Sequence, residues 1–305
     1  MTDLEKASLI VKFDPTTTVN DLIELGFPRT TAYEAHARVF PKKMKDTKRV
    51  LVITDLHCGH TAGLTPPEWW NDSPYFAQLK REQKEQWDFF SGVVQNVGKI
   101  DVLFVLGDAI DGKGKRSEST ELIVVDEVKQ ADIAKACINH IPFKKGFFVR
   151  GTPYHVGTGN DFEDIVADHF SAPIDNQLWV DVNGITFDLK HKIGGSSIPH
   201  GRSTSLAKEK LWNREWVEME GQPKADIFIR GHVHYFNFCG SENYLAMTAP
   251  PLQAPKTKYG SQQCSGTVNF GVLVFDVPEN ATLDDVQWRK YTKHLKEVAP
   301  KKLVA

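Results

Sequence analysis

Short apolar runs of strand length recur along the chain, and most of them end in an aspartate, a glycine or a histidine. Residues 50–54, 101–106 and 146–150 are such runs, and the segments between them, 78–97 and 118–140, carry apolar residues at helical spacing. Strands that alternate with helices in this way pair in parallel, because right-handed crossovers return the chain to the same end of the sheet. The chain is therefore predicted to form an α/β domain.

The second part of the chain adds antiparallel strands. The apolar runs 178–182 and 185–190 flank Asn183-Gly184, a dipeptide that strongly favours a two-residue hairpin. The elements predicted after this hairpin are a helix at 203–219, a strand at 226–230 and strand-like sequence from 244 to 277. We expect one domain, residues 46–280, with a parallel half and an antiparallel half.

Residues 1–45 have a different pattern and predict a small all-α extension. Three short helical segments, 4–11, 19–25 and 30–39, surround a break at Gly26. The second and third resemble a helix-turn-helix, which allows DNA contact by this extension, although two short helices joined at a glycine usually only pack. Residues 281–305 are interpreted as a C-terminal tail.

Composition excludes several classes of protein. The 37 Lys and Arg residues are balanced by 39 Asp and Glu residues, which excludes a chain that binds nucleic acid by bulk positive charge. No apolar stretch reaches the ~18 residues of a membrane span, and no signal peptide is recognisable. The four cysteines form no C-x-x-C pair, as is usual for free thiols. These features predict a cytoplasmic protein without membrane contact.

Residues able to bind a metal follow the predicted strands. Active sites of open α/β sheets lie at the carboxyl ends of strands, so side chains there can converge. Carboxylates and imidazoles together suit Mn, Fe or Zn. Residues two apart in an extended segment point the same way, so each close pair is expected to hold one ion. The candidates are Asp55 and His57, Asp108 and Asp111, His155, His191, and the pair His232 and His234.

The order of these motifs resembles that of the calcineurin-like metallophosphoesterases. The match runs Asp-x-His, Gly-Asp-x-x-Asp-Gly, a glycine turn, His and Gly-His-x-His, over roughly residues 49–277. The resemblance implies a four-layer α-β-β-α sandwich of two mixed sheets and a centre of two divalent ions, Mn before Zn, Fe or Mg. It assigns Asp55, His57 and His234 to the first ion, His191 and His232 to the second, and Asp108 to both.

The third family motif, Gly-Asn-His, is altered to Gly151-Thr152-Pro153. Thr152 is expected to offer a hydroxyl or carbonyl oxygen in place of the Asn ligand, with Asn160 as a further candidate. His155, two residues late, is expected to be the catalytic imidazole or a metal ligand. A hydrogen bond within the loop is the alternative.

Smaller features indicate the substrate. Gly112 follows Asp111 directly, so the arginine of the family's protein phosphatases is missing, and the resemblance shifts to its exonuclease and phosphodiesterase branch, common in phage and bacteria. Lys115 and Arg116 on a glycine loop, and Arg202, are expected to contact phosphates, the alternative for the loop being a solvated surface.

The sequence thus predicts a metal-dependent phosphoric ester hydrolase that cleaves phosphodiester bonds of nucleic acid or nucleotides, by attack of a metal-activated hydroxide. A phosphomonoesterase acting on nucleotides is one alternative. A degenerate scaffold that binds without catalysis is the other, and the altered third motif favours it.

Overall fold

Two β-sheets lie face to face between layers of helices in the computed structural model. The structure describes residues 1–71, 73–115, 117–156, 162–255, 257 and 268–295. The helices are α1 (Asp3–Phe13), α2 (Val19–Glu24), α3 (Arg29–Val39), α4 (Ala77–Val97), α5 (Glu127–Asn139), α6 (Pro153–Val156), α7 (Phe162–His169) and α8 (Arg202–Glu218). The strands are β1 (Thr47–Ile53), β2 (Ile100–Leu106), β3 (Phe143–Val149), β4 (Ile174–Asp175), β5 (Gln177–Val182), β6 (Ile185–Lys190), β7 (Ile227–Arg230), β8 (Asn237–Ser241), β9 (Tyr244–Thr248), β10 (Phe270–Pro278) and β11 (Gln287–Lys293).

Alternation along the strands creates the layers. Val50 and Val52 of β1 face the second sheet, whereas Leu51 and Ile53 face the helices, because successive residues of a strand point to opposite sides. One apolar cluster fills the space between the two sheets, a second lies under the N-terminal helices with α4 and α5, and a third joins α8 to the other sheet. The predicted four-layer α-β-β-α sandwich is confirmed.

Both sheets are mixed. The first has the order β11-β10-β1-β2-β3-β4, in which β1 to β4 are parallel and β10 and β11 are antiparallel to their neighbours. The second has the order β5-β6-β7-β9-β8. The predicted division into a parallel and an antiparallel half is wrong, because β6, β7 and β9 pair in parallel. Consequently β1, β2 and β3 end at one edge, and β6 and β7 end together in the second sheet.

The N-terminal helices pack onto the domain. Ala7, Leu22 and Ala35 are fully buried in the same apolar cluster as residues of β1 and α4. The Tyr291 hydroxyl donates to the carbonyl of Val39 at 2.8 Å, and the Tyr291 ring stacks on Phe40. These contacts give the helices a packing role, and their contact with DNA stays a prediction.

Two predicted elements differ in the structure. The helix expected at 118–140 begins only at Glu127, because the Asp126 side chain accepts the Lys129 N–H as an N-cap. The tail expected at 281–305 contains β11, which pairs with β10 along its whole length. None of the helices in the described part of the chain has the length and apolarity that a membrane crossing requires.

Candidate metal centre

The predicted ligands lie on loops that leave the carboxyl ends of the strands. Asp55 and His57 follow β1, Asp108 follows β2, and His232 and His234 follow β7, and all five have left-handed backbones with φ between 45° and 70°. Such a conformation costs non-glycine residues on the order of 1 kcal/mol or more each and is common at functional sites. The expectation that these loops are extended is therefore wrong, and residues two apart need not share an ion.

Three of the ligands form a group that we call the first triad: Asp55, His57 and His234. The Nε2 atoms of His57 and His234 are 3.3 Å apart. Asp55 Oδ1 lies 3.1 Å from His234 Nε2 and 3.8 Å from His57 Nε2. Ligand atoms about 2.1 Å from one ion lie roughly 3.0–3.4 Å apart at octahedral or tetrahedral angles. The two shorter distances fit one metal ion directly, and the 3.8 Å distance requires a wider angle at that ion.

The other three ligands form the second triad: Asp108, His191 and His232. Asp108 Oδ2 lies 3.0 Å from His191 Nε2. Asp108 also belongs to a further group with His57 and His155, so its carboxylate lies within reach of both triads. His232 and His234, expected to hold one ion as a pair, are divided between the triads, as the family resemblance implied. Metal binding by these six residues stays a prediction.

His57 is oriented by a carboxylate behind it. Its Nδ1 lies 2.9 Å from Asp111 Oδ1, and since a carboxylate only accepts, Nδ1 carries the proton and donates. Its Nε2 therefore points toward the other two members of the first triad. A histidine that donates to a carboxylate through its other nitrogen is the usual arrangement around a bound metal, because the contact fixes the ring and makes it more basic.

The contacts of His191 indicate whether a metal fits the second triad. Its Nδ1 lies 2.5 Å from the Leu106 carbonyl oxygen and donates to it, which directs Nε2 toward Asp108. That Nε2 atom is buried and lies 3.0 Å from Asp108 Oδ2. A nitrogen lone pair facing a carboxylate oxygen is stable only with a cation between them, either a proton or a metal. The donor set thus fits a divalent ion.

The charges of the site shift its pKa values strongly. Burial alone would lower the pKa of His57, but hydrogen bonds to Asp111 and Asp55 raise it to about 10. Burial also opposes the charged form of His191, yet Asp108 raises its pKa to about 9. Burial would raise the pKa of Asp55, but His234 holds it well below its ordinary value. The site therefore binds positive charge, as a metal centre must.

Thr152 contacts the carboxylate of Asp108. Its N–H donates to Asp108 Oδ1 at 2.7 Å, and its hydroxyl lies 3.2 Å from the same oxygen. The hydroxyl thus orients a predicted ligand. Because a hydroxyl that donates keeps its lone pairs, a ligand role for Thr152 stays a prediction. Asn160, the other candidate, lies outside the described residues.

His155 lies on α6 at the edge of the site. Its Nδ1 donates to the Asp111 carbonyl oxygen at 2.8 Å, which leaves Nε2 free to serve the site. Its ring contacts the His57 ring edge to face, 4.6 Å between centroids. Burial, and then the charge of His57, lower the pKa of His155. His155 therefore makes the loop hydrogen bond and also lies within reach of both triads.

Two glycines let the loops approach the ligands. A Cβ at Gly151 would lie 2.1 Å from Asp108 Oδ1, and one at Gly231 would lie 2.3 Å from the Thr54 hydroxyl and 3.0 Å from Asp55 Oδ2. Any larger residue at either position would displace a carboxylate of the site.

The residues predicted to contact phosphates differ in their surroundings. The Arg202 guanidinium stacks on Tyr235, the residue after His234, with 4.0 Å from its central carbon to the ring centroid. Its Nε is buried without a hydrogen-bond partner among the described residues. Lys115 is exposed, and Arg116 lies outside the described residues.

Glu163 of α7 was missed from the sequence. Its carboxylate is buried beside the site and accepts the N–H groups of Ala109 at 2.6 Å and Gly151 at 2.7 Å. Burial, and then the charge of Asp108, raise the pKa of Glu163 to about 7. A single glutamate in an amphipathic helix carries no signal that could have identified it.

Comparison with known proteins gives weak likenesses only. No family model matches the chain, and no curated protein matches it. Vps29 from Entamoeba histolytica, solved with zinc, is 14% identical with a TM-score of 0.41, over 80% of this chain and 98% of that one. An archaeal phosphodiesterase is 11% identical with a TM-score of 0.36, over 80% of this chain and 99% of that one.

A predicted phosphoesterase from Streptococcus pneumoniae is 11% identical with a TM-score of 0.33, over 81% of this chain and 99% of that one. TM-scores and sequence identities this low carry no information on activity. The function of this chain has to follow from its own residues.

Proposed function

We propose that this protein is a dinuclear metal-dependent phosphoesterase of the calcineurin-like type, hydrolysing phosphodiester bonds of nucleic acid or nucleotides. The observation that carries the proposal is the position of Asp108, whose carboxylate lies in the second triad and also within reach of His57 of the first. A bridging carboxylate between two sets of imidazole and carboxylate ligands is the requirement for two closely spaced ions.

Two ions held by the triads, with Mn²⁺ the first choice, would supply an activated hydroxide and neutralise phosphate oxygens. The chain's own residues do the rest. Arg202, fixed against Tyr235, presents its free guanidinium nitrogens to a flanking phosphate, because guanidinium groups match phosphate oxygens in pairs. Lys115 contacts the more distant backbone.

His155 serves the leaving group in this proposal. Its Nδ1 is fixed on the Asp111 carbonyl, so a proton transferred to the leaving oxygen comes from Nε2. The lowered pKa of His155 makes this proton easy to release but already scarce at neutral pH. A diester with an alkoxide leaving group needs such a proton most.

The deciding assay uses purified protein with Mn²⁺ on four substrates: bis-p-nitrophenyl phosphate, p-nitrophenyl phosphate, single-stranded DNA and double-stranded DNA. We expect hydrolysis of the diesters, lost in excess EDTA. Preference for p-nitrophenyl phosphate would favour a phosphomonoesterase. Metal binding without turnover of any substrate would support the non-catalytic scaffold, which the altered third motif favours among the alternatives.

We further propose that α3 contacts DNA. Arg29 and Arg38 are both exposed; Arg29 lies over the Tyr33 ring, 5.9 Å from its centroid, and Arg38 pairs with Glu34 at 3.2 Å. Because the helices are part of the core, point variants are better tests than deletion. Arg29→Glu is expected to weaken DNA binding several-fold and reduce its salt dependence, while hydrolysis of small esters is unchanged. Unchanged DNA affinity would contradict this role.

A further inference from the structure

The buried carboxylate of Glu163 connects two loops of the site. Ala109, which donates to one carboxylate oxygen at 2.6 Å, directly follows Asp108 after β2. Gly151, which donates to the other at 2.7 Å, directly precedes Thr152 after β3. A buried carboxylate is unfavourable unless hydrogen bonds compensate it, so these two contacts determine where the loops lie relative to each other.

Both loops act on the same side chain. One carries Asp108 itself, and the other carries the Thr152 N–H and hydroxyl that contact Asp108 Oδ1. The loops approach so closely that a Cβ at Gly151 would lie 2.3 Å from the Asp108 backbone nitrogen. The orientation of the Asp108 carboxylate therefore depends on the relative position of the two loops.

We infer that Glu163 is the positioning residue for the bridging carboxylate: by holding the N–H groups of Ala109 and Gly151 together, it sets Asp108 between the two triads. The inference rests on the proposed dinuclear function. A functional carboxylate has to be held within about 0.5 Å of its productive position, and partners behind the ligands provide this. The first triad has no contact with Glu163 in the described structure, so the second triad and the bridge depend on it most.

The test compares Glu163→Gln with Asp164→Asn. Glutamine keeps the shape but presents an NH₂ group to one of the two N–H donors. Asp164 is the next residue of α7, and its carboxylate binds Arg150 at 2.8 Å, so it controls for a change of charge on this helix. Mn²⁺ binding is measured by calorimetry, and the magnetic coupling of two Mn²⁺ ions by electron paramagnetic resonance.

We expect Glu163→Gln to weaken the second Mn²⁺ about 10–100-fold and to lose the coupled signal at concentrations that saturate the wild type, while Asp164→Asn behaves as wild type. If Glu163→Gln does not fold, Glu163→Asp keeps the charge but is too short to reach both donors, and the same loss is expected. Wild-type affinity and coupling in the folded variant would overturn the inference. A wild type that binds two coupled ions but hydrolyses nothing would overturn the proposed function alone.

Discussion

The two triads have the same composition, one aspartate and two histidines, but different surroundings. In the first triad, His57 donates to the charged carboxylate of Asp111. In the second triad, His191 donates to the neutral carbonyl of Leu106, and Asp108 is held by Thr152 and by the loops that Glu163 joins. The first triad is thus supported by charge, and the second by backbone geometry.

This difference indicates how one chain can set its affinity for each of two ions separately. A carboxylate behind a histidine makes it a more basic ligand, whereas a carbonyl mainly fixes its direction. The first triad is therefore expected to bind its ion more tightly, and the second to control the bridge. The changes below test this comparison.

Removing the bridge is expected to have the largest effect. Asp108→Asn takes a negative charge from both triads, and because the ions contribute several kcal/mol of charge stabilisation, diester hydrolysis should fall about 10³-fold or more. Circular dichroism checks that the variant folds. Unimpaired turnover would contradict the two-metal mechanism.

His155→Ala separates catalysis from metal binding. If His155 Nε2 protonates the leaving oxygen, cleavage of DNA or alkyl diesters should fall at least about 10²-fold, whereas bis-p-nitrophenyl phosphate, whose leaving group needs little protonation, changes far less. The check is kcat/KM on both substrates with metal content by elemental analysis. Equal losses with lower metal content would make His155 a ligand, and small losses on both would leave only its loop hydrogen bond.

Asp111→Asn should affect the first triad selectively. The amide can still accept from His57 Nδ1, but the charge that makes His57 basic is gone, so the tighter Mn²⁺ site should weaken about 10-fold or more while the second is nearly unchanged. Asp132→Asn, an exposed aspartate paired with Lys135, is the control. Calorimetry of both sites measures the result, and equal weakening of the two would refute the separation of the triads.

The smallest expected effect concerns the number of protons released when metal binds. In protein stripped of metal, the pKa values of about 10 for His57 and about 9 for His191 lie above the ordinary 6.5, so both are charged at pH 7.5. Their protonation stabilises the metal-free fold fully below pH 6.5, and this stabilisation is lost as the pH rises through 9 and then 10.

A metal must displace both protons, so we expect release of about two protons at pH 7.5, decreasing to about one near pH 9.5, where His57 alone stays charged. Calorimetry in buffers of different ionisation enthalpy counts them. Release that does not change between pH 7.5 and 9.5 would contradict the raised pKa values of the two histidines.

The residue patterns by themselves predicted an α/β domain with candidate ligands at its strand ends, and the family resemblance implied the two-sheet sandwich. Apolar strand runs and the Asn183-Gly184 hairpin are local patterns, and polar residues at strand ends follow from the chain order. Spacing alone could not determine the partition of His232 and His234, because extended geometry predicts one shared ion. The family resemblance implied the partition, and the left-handed loops separate the two side chains.

Only the tertiary structure determined which residues support the predicted ligands. Glu163 lies in α7 and contacts loops after two different strands, so no local pattern indicates its role. Thr152 contacts Asp108 across 44 positions of sequence, so no local pattern indicates this contact either. The strand β11 depends in the same way on an edge supplied by β10. Contacts of this kind depend on how distant segments pack, and hydrophobic periodicity records only which face of each element is buried.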